Sequence, residues 1–449
     1  MTSAALQSLS RKVPASPARG SLVVRAMKAA ITLSMLLLIY NDIFGGVIKY
    51  YSATSALLFI SFIPSLFAGA VLAAYFGSHI LVMRIHNKMV LFLLIFVLNA
   101  IYALADGRNP AAVGFGFYIW LPFFVGLLIT TFKLEKEFEK HIIVWWVIVT
   151  AGVLLNSQIK FPWTGESYQV LGQTIQASRD WTASGFDRLA GFSRASFAAA
   201  TQIALFCMVM LAMRIGVAKK VFVWAISTTA VYLTTTKTTL FIMIMAPILI
   251  GMIDFFLTKS ATPQAPNRKI VRLATIICMF LAGLMVGLPI FSLTSASNIV
   301  SSEGIGFFNL YSLYDRMGRM WPQAWDLILD QGNPIHMIFG RGIGGIGTPQ
   351  NFFEALKSNS ADNLFVYLYV TFGIFSIFFI RHLIINIRKW AEADNRQFLT
   401  YFALTVSILI IGLMANVVEN PTSLLVLGLL IGKTSSRALP PANHNKTNP

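Results

Sequence analysis

Residues 219–257 read KKVFVWAISTTAVYLTTTKTTLFIMIMAPILIGMIDFFL. Two apolar stretches, 219–235 and 238–257, flank a polar turn of threonines and one lysine. A helix needs about 20 mostly apolar residues to cross the ~30 Å hydrocarbon core of a membrane. We therefore predict two membrane-spanning helices of marginal length that meet in a tight turn.

The same pattern recurs along all 449 residues. Hydrophobic residues make up 56% of the chain and charged residues only 12%, which excludes an ordinary soluble domain. We predict an all-α polytopic integral membrane protein with about twelve transmembrane helices. The predicted spans lie near 27–44, 53–76, 89–105, 111–132, 141–156, 194–214, 219–235, 238–257, 272–292, 362–386, 398–416 and 420–433.

Basic residues set the predicted orientation, because Lys and Arg near span ends are retained on the cytoplasmic side. With the N-terminus inside, most of the 35 Lys and Arg residues fall in cytoplasmic segments. Both termini are then cytoplasmic. The net charge of +17 mostly reflects the basic residues that set the topology, and it suits the anionic headgroups of the lipid bilayer. We expect no nucleic-acid partner.

One transmembrane domain is predicted over 27–433, between tails at 1–26 and 434–449 whose Ser, Pro, Ala and Asn content is typical of disorder. Cys207 and Cys278 lie inside apolar spans, so we interpret them as small buried hydrophobic residues. No group of His, Asp, Glu or Cys has metal-ligand spacing. The sequence therefore predicts neither a metal nor another cofactor.

Two long loops, about 157–193 and 293–361, fall on the outer side in this topology. Extra loop length in a compact protein usually serves function. We expect the activity at the outer face, which argues against a reaction that uses a cytosolic nucleotide.

The second loop contains a predicted amphipathic helix around Tyr311–Asp330, in which Pro322 kinks the helix or starts a second segment. Its tryptophans suit a helix lying on the bilayer surface.

A carboxylate and several guanidinium groups stand out on this side. Asp362 opens an apolar segment, where a charge must take part in chemistry or close an ion pair; it could also serve as the N-cap of the helix. Arg188 could bind a phosphate with two hydrogen bonds, or pair locally with Asp187. Arg316 and Arg319 could bind an anion, form a solvated face, or anchor to lipid phosphates.

Lys237 follows three threonines in the tight turn, so it could complete an anion site with the free N–H groups of its helix, or extend to the membrane interface. The glycine-rich segment around Arg341 and Gly342 follows no predicted strand, which excludes a dinucleotide or P-loop site. It would let the backbone approach a sugar or phosphate, or form a bare turn. His336 is the one histidine in the outer loops and is a competing general base.

These residues together resemble the O-antigen ligase and O-antigen polymerase superfamily over 188–376. The ligases carry His-Asn, nine residues and Gly in the last motif, so Asp362 stands where they have His. Ser376 stands where they end that motif with Gly, Thr or Tyr. The matching elements are Arg188-x-x-Gly191 before a span, Lys237 in a basic turn, Arg316 with Trp321 and Ala324, Phe339-Gly340-x-Gly342-x-Gly344, and Asp362-Asn363 followed by Gly373.

The resemblance implies a metal-independent, GT-C-type glycosyltransferase of the bacterial inner membrane whose active site faces the periplasm. Its substrate would be a glycan linked to polyprenyl (undecaprenyl) diphosphate, and its partners would include a chain-length regulator or export proteins. Asp362 would be the base, and Arg188 and Arg316 would stabilise the departing diphosphate. The further substrate-binding candidates are Lys237, Arg319, Arg341, Gly342 and Asn363.

Asp in place of His favours a polymerase of exopolysaccharide, capsule or O-antigen repeat units over the alternative, a ligase that transfers glycan to lipid A-core. An alternative of another class is a transporter or flippase of lipid-linked sugars. A transporter would contain charged residues near the middle of its spans, whereas these spans are almost free of them. An acyl- or phosphotransferase would want a histidine, a serine nucleophile or a metal, and only His336 favours it.

Overall fold

The computed structural model describes residues 17–55, 57–80, 87–170, 172–183, 185–259, 266–295, 311–329, 334–357, 359–392 and 394–433. The first ten helices are α1 (Pro17–Ile43), α2 (Gly45–Thr54), α3 (Ile63–Ile80), α4 (Asn87–Ala105), α5 (Pro110–Thr131), α6 (Glu135–Asn156), α7 (Ser196–Ala212), α8 (Val217–Leu233), α9 (Lys237–Thr258) and α10 (Arg268–Ser295). The other eight are α11 (Tyr311–Asp315), α12 (Trp321–Leu329), α13 (Ile335–Phe339), α14 (Thr348–Phe353), α15 (Leu364–Phe372), α16 (Ser376–Trp390), α17 (Asn395–Met414) and α18 (Pro421–Gly432).

Tight turns and two small hairpins complete the described structure. The 3-10 turns are Leu58–Phe62, Ala355–Lys357 and Gly373–Phe375, and Arg316–Met320 is a π-helical turn. The antiparallel hairpins lie in the first long loop: β1 (Ser167–Val170) pairs with β2 (Gln173–Gln176), and β3 (Thr182–Ala183) pairs with β4 (Phe186–Asp187). Apart from turns, loops and these hairpins, the described residues are helical; the hairpins were not predicted from the sequence.

Nine helical segments in the described ranges are long and apolar enough to cross a membrane, which confirms an all-α, multi-pass membrane protein. The count of about twelve is not confirmed. The three other predicted spans fall on α7, α8 and α18, which have 17, 17 and 12 residues. Almost every residue of α7 and α18 is buried, so other helices surround these two and neither needs the full length of a lipid-exposed span.

Two predicted boundaries need correction. Helix α1 begins at Pro17, so residues 17–26 are helical and do not belong to the predicted tail; residues 1–16 and 434–449 lie outside the described ranges. The predicted span at 53–76 is interrupted near its start, because α2 ends at Thr54 and α3 begins only at Ile63.

Contacts between distant loops define two ends of the helix bundle. At one end, which we call the loop end, Asp42 accepts a hydrogen bond from Thr422 at 2.6 Å, and Leu189 N–H donates to the Leu233 carbonyl at 3.4 Å. At the opposite end Lys433 lies 3.3 Å from Glu135. The segments predicted to lie outside therefore converge at the loop end.

Helices α5 and α18 pack at very short range because glycines face each other. A Cβ added to Gly126 would lie 2.1 Å from the Leu425 carbonyl oxygen, and one added to Gly428 would lie 2.0 Å from that of Phe123. Small residues at a membrane helix interface let the two backbones approach and gain dispersion contacts. This contact fixes the short α18 in the bundle.

Gly428→Ala should destabilise the protein by about 1–3 kcal/mol, because the new methyl group must push the two backbones apart. The melting temperature of purified protein in detergent measures the effect. Gly114→Ala in α5 is the matched control, since a Cβ there meets nothing within 4 Å and alanine favours a helix. Equal melting temperatures for the two variants would contradict the proposed packing role.

Candidate functional site

An ion pair joins the second long loop to the start of α15. Arg316 Nη2 lies 2.9 Å from Asp362 Oδ2, and their side chains are 17% and 27% exposed. Arg316 also donates to the Ser312 carbonyl at 2.8 Å, which orients the guanidinium. It begins the π-helical turn, a distortion that is frequent at functional sites. The structure therefore brings together the predicted base and one predicted diphosphate ligand.

Asp362 reaches this position through an unfavourable backbone conformation. Ala361 and Asp362 have φ of +62° and +41°, a left-handed region that costs a residue other than glycine about 1–3 kcal/mol. Hydrogen bonds hold the segment: Ala361 N–H donates to Asn359 Oδ1 at 2.7 Å, and the Ser360 hydroxyl donates to Asp362 Oδ1 at 3.1 Å. The strain places the carboxylate opposite Arg316.

Asn363, not Asp362, caps helix α15. Its Oδ1 accepts from Val366 N–H at 3.0 Å, and its amide nitrogen donates to the Met285 and Leu413 carbonyls at 3.1 Å. The residue is fully buried. Because its amide N–H groups are used within the protein, the structure gives Asn363 a structural role where we predicted substrate binding. Capping by Asn363 also leaves the Asp362 carboxylate free for its ion pair.

Arg188 follows the β3–β4 hairpin. Its Cζ lies 4.2 Å from the centre of the Trp181 ring, a cation–π contact that takes the place of the alternative Asp187–Arg188 pair. Burial, and then repulsion from Arg316, hold the pKa of the Arg188 guanidinium below its usual value. The two arginines predicted to hold a diphosphate are therefore within electrostatic range of each other.

Lys237 is the first residue of α9, and its charge interacts with that of Arg188. The preceding threonines do not cap α9 with their side chains: Thr236, at the N-cap, makes no capping bond, and the Thr234 hydroxyl donates back to the Val231 carbonyl at 2.6 Å.

We call Arg188, Lys237, Arg316 and Asp362 the cationic site. It contains three basic groups and one carboxylate, so it favours an anion. Arg316 contacts Asp362, the charge of Arg316 acts on Arg188, and that of Arg188 acts on Lys237; the sequence alone did not show these links.

Arg319 and Arg341, two other predicted substrate ligands, are occupied elsewhere. Arg319 is 62% exposed and pairs with Asp315 at 2.7 Å on the same helical face. Arg341 is 1% exposed and donates to the Gly345 carbonyl and to Glu354 at 2.7 and 2.8 Å. Gly342 has φ +86°, and a Cβ there would lie 2.4 Å from that of Ala103. Close packing on α4, not approach to a substrate, accounts for this glycine.

Arg341 belongs to a charge network that the sequence did not predict. Arg108 lies 2.7 Å from Glu354 and 3.3 Å from Asp106, and His336 Nε2 lies 3.1 Å from Asp106. His336 is 2% exposed, so the competing base is enclosed by protein. The network borders a cavity of about 560 Å³. Asp106 and Arg108 could not be recognised because their other partners, His336 and Glu354, lie more than 200 positions away in the chain.

The tryptophans of the loop helix pack into the bundle, which corrects the prediction that this helix lies on the bilayer. Trp321 is fully buried, Trp325 is 5% exposed, and the Trp325 indole donates to the Pro289 carbonyl at 3.2 Å. Pro322 is the second residue of α12, in agreement with a second segment starting there. The predicted Asp330 boundary lies outside the described residues.

Arg194 lies in a different group from Arg188. Burial lowers the pKa of its guanidinium, and the nearby charges are those of Tyr168, Arg179 and Glu419. The Glu419 carboxylate accepts a hydrogen bond from the Thr348 hydroxyl at 2.7 Å. This group ties the loop before α7 to the segment between α17 and α18.

A second cavity, of about 460 Å³, opens beside the cationic site; we call it the loop cavity. Its wall comes from the end of α6, the first long loop and the turn before α9. Polar side chains in this wall include Asn156, Gln158, Asp180, Asp187, Arg188 and Thr235. Arg188 therefore belongs to both the cationic site and the loop cavity.

Comparison of the chain with protein family models, curated proteins and solved structures finds no significant match. Function must therefore be inferred from the residues and their geometry.

Glu354 should make stability depend on pH. Burial raises the pKa of its carboxyl, but hydrogen bonds and charge from Arg108 and Arg341 outweigh burial and leave the pKa below its usual value of 4.5. A depressed pKa in the folded state stabilises the protein above pH 4.5, and this contribution is lost as the pH falls through the folded value. We expect Glu354→Gln to lower the melting temperature at pH 7 and to reduce its fall on acidification. A parallel pH dependence in both proteins would contradict this role.

Proposed function

We propose that the protein is a membrane glycosyltransferase that polymerises oligosaccharide repeat units carried on a polyprenyl diphosphate. The carrying observation is the Arg316–Asp362 ion pair at 2.9 Å, with Arg188 close enough to repel Arg316. A diphosphate leaving group needs positive charge, and an attacking hydroxyl needs a proton acceptor. The cationic site contains both kinds of group. The products would be exopolysaccharide, capsule or O-antigen.

Each group of the cationic site has one role in the transfer step. The acceptor hydroxyl attacks the anomeric carbon of the donor sugar, and its proton passes to Asp362. The bond between that carbon and the phosphate oxygen breaks, and its electron pair leaves with the diphosphate. Arg188 and Arg316 stabilise the negative charge that develops, and Lys237 adds to their field.

Arg316 would also control when Asp362 becomes available. Its guanidinium lies 2.9 Å from the carboxylate. A diphosphate competes for the same N–H groups and carries more charge than one carboxylate. Its arrival would draw Arg316 away and free Asp362 for the acceptor hydroxyl. The base would then be released only when a donor is bound.

Two further features support a polymerase at the periplasmic face of the bacterial inner membrane. The cationic site lies at the loop end, whereas the opposite end contains basic residues such as Lys88, Lys140 and Lys433, as expected for the cytoplasmic side. The enclosure of His336 beside Asp106 favours Asp362 as base, and Asp at this position favours a polymerase over a ligase. A chain-length regulator or export protein would act with the enzyme.

Asp362→Asn and Arg316→Ala should each reduce polymerisation about 10²–10⁴-fold, because one loses the proton acceptor and the other a diphosphate ligand. The assay is polymer length in membranes, together with the single repeat units that accumulate on the lipid carrier. Arg319→Ala is the matched control, since its exposed guanidinium pairs with Asp315 one helical turn away. If Asp362→Asn makes polymer of wild-type length, Asp362 is not the base.

Cysteine labelling tests the proposed orientation. The native Cys207 and Cys278 are buried and should give little background. A membrane-impermeant maleimide should label Thr174→Cys, at the loop end, in intact cells. It should label Lys140→Cys, at the opposite end, only after permeabilisation. The reverse pattern would place the cationic site in the cytosol and end the proposal.

A further inference from the structure

The ring of Trp181 contacts Arg188, and the residue is also partly exposed to solvent. The Arg188 guanidinium lies over the ring at 4.2 Å. Arg188 N–H donates to the Trp181 carbonyl at 3.1 Å, and the intervening hairpin pairs Thr182 with Asp187. The residue nevertheless remains 42% exposed. The hairpin therefore presents an indole surface to solvent directly beside a predicted phosphate ligand.

The loop cavity is lined by residues around Trp181, although not by the indole itself. Asp180, the residue before Trp181, and Arg188, which stacks on it, both line the cavity wall. Its volume of about 460 Å³ lies within the range of small-ligand pockets, about 300–1,000 Å³. Asp187 and Gln158 are exposed residues in that wall and can accept or donate hydrogen bonds.

A sugar matches this combination of groups. A pyranose has an apolar C–H face that packs on an indole and an edge of hydroxyl groups that bond to carboxylates and amides. In a lipid-linked donor the first sugar is joined directly to the diphosphate. If a phosphate oxygen bonds to Arg188, that sugar must lie within one ring length of the guanidinium.

We propose that Trp181 and the loop cavity form the subsite for the saccharide next to the diphosphate. This inference rests on the proposed function and deepens it. The indole packs against the sugar ring, and Asp187 accepts hydrogen bonds from its hydroxyls. Trp181 is then a specificity-determining residue: it binds the sugar and takes no part in the proton transfer.

The experiment compares two probes on the purified full chain in lipid nanodiscs. One is a prenyl diphosphate that carries an oligosaccharide, and the other is the same prenyl diphosphate without sugar. The wild type should bind the sugar-bearing probe more tightly. Trp181→Ala should weaken that binding about three- to tenfold, the range of one aromatic contact, and leave the bare probe unchanged. Trp181→Phe should retain most of the affinity, and Asp187→Asn should weaken only the sugar-bearing probe.

Three outcomes would overturn the subsite. An equal loss for both probes in Trp181→Ala would mean that the indole only positions Arg188. Unchanged binding of both probes would show that Trp181 contributes nothing to binding of the sugar. A similar loss in Tyr51→Ala, a control at another exposed aromatic residue that is 56% exposed, would make the effect nonspecific.

The two proposals fail in different ways. Unchanged sugar binding in Trp181→Ala, while the wild type still makes polymer, removes the subsite alone. If the wild type binds neither probe, the diphosphate site and the saccharide subsite are both wrong.

Discussion

A charge at the edge of a low-dielectric helix bundle must be paired, and the Arg316–Asp362 ion pair meets this requirement across 46 positions of sequence. It ties the π-helical turn to the strained residues before α15. Hydrogen bonds within 312–316 and 359–362 hold the two segments in place, and the ion pair joins them at the loop end.

The two polar networks at the loop end differ in their balance of acidic and basic groups. Two acids and two bases, in the order Asp106, Arg108, Glu354 and Arg341, form a chain of ion pairs. That network holds the glycine-rich segment. The cationic site contains three bases and one acid, so its charge favours an anion. The same residue type, arginine, is therefore structural in one network and a ligand candidate in the other.

Local sequence information predicted the helices well, because an apolar segment long enough to cross a membrane must satisfy its own backbone hydrogen bonds as a helix. It also located α18, whose 12 residues pack against α5 through Gly126 and Gly428. It failed at the loop helix. The loop-helix tryptophans were misplaced on the bilayer surface, since an apolar stripe does not tell whether lipid or protein covers it.

The sequence by itself determined the membrane class, the candidate base and most of the candidate anion ligands, because charged residues are rare in such a chain and each one is conspicuous. Only the tertiary structure decided which of them interact. Arg341, Asn363 and Gly342 proved to be bonded or packed within the protein, whereas Arg316 pairs with Asp362 and its charge acts on Arg188. The physical reason is that hydrogen-bond capacity is shared among neighbours in space, and those neighbours come from distant parts of the chain.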